Sequence, residues 1–185
     1  MMTMNQFSFM RVAVNSKFLS VWSLAASLLA TGLAPRTSAQ TFEATWESLG
    51  QYQCPQWFRD AKLGIFLHWG PSSVAAFDSW YGRNMYVQGN RVYDYHVKTF
   101  GHPSKFGFKD LIPLWKAENF DPDRLVRIFK GAGAGYIVPV ASFHDNFDLW
   151  DSTYTRWNAV RMGPKKDIVA LWKQAALAHG LRFGA

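Results

Sequence analysis

Apolar positions along the chain change their spacing several times, and each change predicts an element. Phe18 to Ala34 is rich in Leu, Ala and Val and carries no charge. Polar residues with Arg11 and Lys17 precede it, and Pro35, Arg36 and the small residues Thr37-Ser38-Ala39 follow. This order predicts a secretory signal over residues 1–39, cleaved after Ala39, and an exported product. Ser20, Ser23, Ser27 and Thr31 interrupt the stretch, which argues against an uncleaved anchor of about 20 apolar residues. Beyond residue 40 no segment is apolar over a span of that length.

Trp46 to Asp60 is polar and aromatic and predicts a short helix. The run Lys62-Leu63-Gly64-Ile65-Phe66-Leu67-His68-Trp69-Gly70 ends at Pro71 and predicts a buried strand. Residues 71–108 read as loop, and Lys109 to Trp115 as a helical turn limited by Pro113. Asp121-Pro122-Asp123 is a helix start: a capping carboxylate, a proline at the first turn, and an acid at the positive dipole end. Leu125, Ile128, Phe129 and Ala132 then share one predicted apolar face. Tyr136 to Ala141 predicts a second strand, with Pro139 suggesting an edge or a bulge. Asp167 opens another helix, whose predicted face is Ile168, Leu171, Trp172, Ala175 and Ala176. His179-Gly180 closes it, and Leu181 to Ala185 predicts a third strand. Strand, helix, strand, helix, strand is the order of a parallel α/β sheet.

The glycines at 131, 133 and 135 follow a helix and open a strand. A dinucleotide fingerprint has the reverse order, so a helix-to-strand turn is the better reading. His68 and His144 both fall at the carboxyl ends of predicted parallel strands. In a (β/α)₈ barrel that rim carries the active site, so the pair points to a polar pocket, with Trp80 as an aromatic wall. The alternatives are a satisfied structural His and a Trp packed under a loop. His144, Asp145 and Asp148 raise a metal site, but no HExxH or paired-Cys spacing accompanies them. Cys54 precedes the first strand, which sets it apart from a Cys–His nucleophile at that rim.

Composition adds little to this and excludes more. Of 185 residues, 49% are hydrophobic and 18% charged, which is the balance of a packed domain. Aromatics at 17% suit ring-lined pockets. The single Cys allows no internal disulfide. The net charge of +7 falls to +4 without residues 1–39, at 17 basic against 13 acidic side chains. Those basic residues are interspersed with acids, unlike the concentrated stripe that nucleic acid needs.

The segment Trp57 to Gly70 resembles the opening of the α-L-fucosidases of glycoside hydrolase family 29. So do Trp80-Tyr81-Gly82-Arg83-Asn84-Met85-Tyr86, Asn119-Phe120-Asp121-Pro122, Gly133-Ala134-Gly135-Tyr136, His144 to Ser152 and Gly163 to Val169. The similarity spans residues 46–185 in family order. It implies an α/β fold, the N-terminal portion of a (β/α)₈ TIM barrel that is incomplete in this chain, occupying residues 40–185. It implies retaining exo-hydrolysis of α-L-fucosides on glycans, with two carboxyl groups roughly 5 Å apart across the bond. Both carboxyl groups are expected on later strands, beyond Ala185, and no cofactor or metal is implied. His68, Trp80 and His144 match the sugar-contacting residues. The alternative is a catalytically inert truncated or sugar-binding protein on the same fold.

Two positions depart from the family pattern. Phe143 stands where a first His of an adjacent pair is usual, and Ser79 where a Glu precedes the Trp. Each removes a polar contact, and a substrate hydroxyl left unpaired costs about 1–3 kcal/mol. A pocket rearranged around Asp145 or Asn146 would offset that loss.

Overall fold

The computed structural model describes residues 41–185; the predicted signal over 1–39 lies outside them. The chain divides between Tyr52 and Gln53 into two units. In the first, helix α1 (Trp46–Leu49) is capped by Thr45, whose hydroxyl accepts from the Ser48 N–H at 3.2 Å. Gly50 ends it. The second unit opens with α2 (Gln56–Ala61), started by Pro55. The single helix expected over 46–60 is therefore two, divided by a stretch that holds Gly50 and Pro55.

Strand β1 (Gly64–Leu67) follows α2, and the loop after it is more ordered than its composition suggests. It holds a 3₁₀ turn (Pro71–Val74), then α3 (Tyr81–Asn84) and α4 (Arg91–Phe100). Helix α4 starts at Asn90, whose side chain accepts from the Val92 N–H at 2.9 Å. Its inner face is Val92 with a wholly buried histidine, His96, and a buried imidazole disguises the apolar period. Helix α5 (Phe108–Leu111) runs into a 3₁₀ turn (Ile112–Leu114), matching the expected short helical turn.

Helix α6 (Pro122–Gly131) is capped as expected, the Asp121 carboxylate accepting from the Arg124 N–H at 2.9 Å. Its buried stripe differs from the expected one. Val126 is fully buried with Leu125 and Phe129 beside it, while Ile128 and Ala132 are exposed. The helix has turned its Val126 side inward. Gly133 takes a φ of +96°, and Gly135 sits so close to α2 that a Cβ there would lie 2.8 Å from the Ala61 Cβ. The glycine run is thus the turn from helix to strand that its position implies.

Strand β2 (Tyr136–Pro139) is followed by a long loop, then α7 (Ile168–Ala178) and β3 (Arg182–Phe183). Asp167 caps α7 by accepting from the Ala170 N–H at 2.7 Å. Ile168, Trp172, Ala175 and Ala176 are buried along it. The three strands are parallel in the order β1-β2-β3. Pro139 therefore stands in the central strand, not at an edge. The β2–β3 register stops at Ile137 with Phe183, and Pro139 is the last residue of β2, opposite Leu67. The carbonyl of Ile137 accepts from Gly184, and Val140 donates to Leu67. By alternation the missing N–H of Pro139 faces the β3 side, beyond the last paired residues, Ile137 and Phe183.

Period two sorts the sheet into faces. Ile65, Leu67 and Ile137 join the core formed with α6 and α7, while Phe66 on the opposite face is 67% exposed. Full burial of a side chain such as Ile137 contributes roughly 1.5–3 kcal/mol. Tyr136 lays its ring directly over Gly64, where any side chain would overlap it. Trp57 and Phe58 of α2 pack against that ring at centroid distances of 5.9 and 5.5 Å, and the Arg182 guanidinium lies 4.5 Å from the Trp57 ring. Aromatic side chains thus close the amino end of the sheet.

Candidate functional site

The carboxyl end is different. His68 follows the last residue of β1, and His144 lies five residues beyond the end of β2. The strands are parallel and in register, so both imidazoles rise at one rim. His68 is exposed, and its ring centroid lies 4.5 Å from that of Phe143. Phe143 is 4.2 Å from His144 and 5.8 Å from Trp80. Trp80 stacks on His144 at 4.7 Å with the planes 25° apart. The three residues singled out in the sequence therefore form one cluster, and Phe143 is the ring that joins them. Both His144 nitrogens are buried without a hydrogen-bond partner, while the indole above them is 49% exposed. Unpaired buried polar atoms are costly, and this imidazole finds no partner among the described residues.

Beside the cluster lies a cavity of about 300 Å³. Its polar lining is His68, Ser72, Ser73, Asp78, Ser79 and Asp145; its apolar lining includes Phe77, Val140, Phe143, Phe147 and Leu149. Trp80 and His144 flank this cavity instead of lining it. The Ser72 hydroxyl is buried with no protein partner. Asp145 turns one carboxylate oxygen to the Phe147 N–H at 3.0 Å. Burial pushes its carboxyl above the usual carboxylate range, against the pull of that N–H and of His144. Ser79 and Phe143, the two departures the resemblance implies, both line this cavity, as does Asp145. Asn146 is exposed at a φ of +55° and is not part of it.

Asp78 was not singled out in the sequence. It accepts from the Trp80 N–H at 2.8 Å and from Arg91 at 2.6 Å. The signal was an Asp two residues before the aromatic, where such side chains fold back on the backbone. A second cavity of about 460 Å³ shares His68 and Trp69 with the first and is walled further by Phe120, Leu125, Phe129 and Trp172. It offers only Glu118 and Asn119 as further polar side chains. Among the described residues no three His, Cys, Asp or Glu side chains are grouped to hold a metal ion. Nor is any described helix long and apolar enough to cross a membrane. An aromatic wall with imidazole, hydroxyl and carboxyl groups around a small cavity suits a polyhydroxylated ring.

The alpha-L-fucosidase family model matches residues 29–185. The chain belongs to the alpha-L-fucosidase family. Human plasma alpha-L-fucosidase is 41% identical over 154 residues, covering 81% of this chain and 32% of that protein. Mouse tissue alpha-L-fucosidase is 35% identical over 158 residues, covering 84% and 34%. Among solved structures, Thermotoga maritima alpha-fucosidase in complex with fucose superposes with a TM-score of 0.72 at 37% identity. That match covers 78% of this chain and 36% of the other. This chain therefore spans about a third of the length of these alpha-L-fucosidases.

Proposed function

We propose that this chain forms residues 40–185 of the catalytic (β/α)₈ barrel of an exported retaining exo-glycosidase, following a signal over 1–39. Its substrate is an α-L-fucoside on a glycan. His68, Trp80 and His144 belong to the sugar pocket, with Asp145 and Ser72 as further hydroxyl partners. The catalytic carboxyl pair stands on later strands of the same barrel. Retention places one of them as nucleophile and the other as acid, then base, about 5 Å apart. The residues here bind and orient the sugar: the imidazoles pair hydroxyls, and the indole packs on the ring.

The observation that carries this reading is the pairing of His68 and His144 at one rim of a parallel sheet, beside a polar-lined cavity, in a chain of this family. The deciding experiment is release of nitrophenol from an aryl α-L-fucoside by the full-length protein. Turnover with retained anomeric configuration supports the reading. A folded sample that releases none above buffer overturns it, and fucose binding without release would favour a sugar-binding protein.

A further inference from the structure

We infer that α4 is a clamp that sets the position of Trp80 and of the cavity wall from Phe77 to Ser79, and that Arg91 is its positioning residue. Three side chains on the first turn and a half of α4 reach the loop after β1. The Arg91 guanidinium pairs with Asp78 at 2.6 Å, and the other oxygen of that carboxylate accepts from the Trp80 N–H. The Tyr95 hydroxyl donates to the Ala75 carbonyl at 3.0 Å, and its ring stacks on Phe77 at 4.1 Å with the planes 3° apart. His96 bonds Tyr81, the residue after Trp80, at 2.8 Å.

The loop these contacts hold does not rest in a relaxed backbone. Ala76 has a φ of +49°, a region costly for a residue with a Cβ. External contacts must keep it there. Asp78 is the hinge of the arrangement, because one carboxylate joins the helix to the backbone N–H beneath the indole. Arg91 does not line the cavity itself; it acts through two lining residues, Asp78 and Phe77, whose ring centroid lies 5.0 Å from its guanidinium.

This inference rests on the fucoside reading for its kinetic arm only. In the full-length protein, Arg91→Gln is expected to speed deuterium exchange across residues 75–81. It should raise KM for an aryl α-L-fucoside about twofold to fivefold, the effect of one partly exposed ion pair, with kcat falling less. Arg91→Lys should recover part of the KM. Tyr95→Phe, which frees the Ala75 carbonyl, should move exchange and KM the same way and serves if Arg91→Gln misfolds. Unchanged exchange in both variants overturns the clamp, as does faster exchange with unaltered KM. If the unaltered protein releases no nitrophenol, the fucoside reading fails by itself. Exchange alone then decides: faster exchange across 75–81 supports the clamp, and unchanged exchange overturns it.

Discussion

Tyr81 and His96 are wholly buried, and their bond makes a two-sided prediction about stability. The His96 Nε2 lies 2.7 Å from the Phe106 carbonyl, which can only accept. Nε2 therefore carries the proton, Nδ1 is left as an acceptor, and the Tyr81 hydroxyl donates to it at 2.8 Å. Tyr81→Phe strands that nitrogen without a donor. The cost is about 1–3 kcal/mol at neutral pH. Burial also pushes the Tyr81 phenol from 10.0 up to about 12. A raised acid pKa in the fold means stability that is intact below pH 10 and is lost as pH rises toward 12. By pH 11 the loss is about 1.4 kcal/mol, the cost of one unit of differential ionisation. Tyr81→Phe cannot lose this share. The gap between the two proteins should therefore narrow by that amount between pH 8 and pH 11. Urea unfolding midpoints of both at each pH measure it, and other tyrosines cancel in the difference. A gap that stays constant would refute the reasoning, showing that Tyr81 does not ionise against a burial penalty.

His68→Ala and His144→Ala in the full-length protein should each lower kcat/KM for an aryl α-L-fucoside, and unchanged values in both would return these rings to a packing role. Gly135→Val should lower the melting temperature, since its Cβ would meet Ala61 at 2.8 Å; overpacking of this kind costs about 1–3 kcal/mol, and an unshifted melt would show that α2 yields. The hydrogen bond from His179 at 2.6 Å, with Arg127 adding to it, holds the Asp123 carboxyl below its usual range. Its contribution is present above the ordinary carboxylate pKa and lost as pH falls through the lowered one, so Asp123→Asn should flatten acid unfolding, and parallel curves would count against the pair. Residues 40–185 expressed alone should aggregate, because Phe66 and the open strand edges lack a cover; a soluble monomer with one cooperative melt would contradict this.

The elements legible from the sequence were those whose side chains do one thing. Asp121 and Asp167 cap helices, and Ile137 and Trp172 fill the core, so composition and spacing sufficed. Helix α4 escaped because its buried positions include His96, which reads as polar until its two hydrogen bonds are seen. Pro139 suggested an edge, since spacing cannot tell which neighbours a strand will take. At the site, His68, Trp80 and His144 were readable as rim residues. That Phe143 sits among all three was not, because the pairing of distant loops is a property of the folded chain. Asp78 was hidden for a similar reason: its partner Arg91 lies 13 residues away.

The ring of Tyr136 over Gly64, backed by Trp57 and Phe58, gives this sheet an aromatic floor. Ser79, Phe143 and Asp145 line the cavity at the other end of the sheet, clear of that floor. Substitutions at these three positions should thus reshape the cavity without loosening the base on which the strands rest, and an engineer could vary the two ends independently.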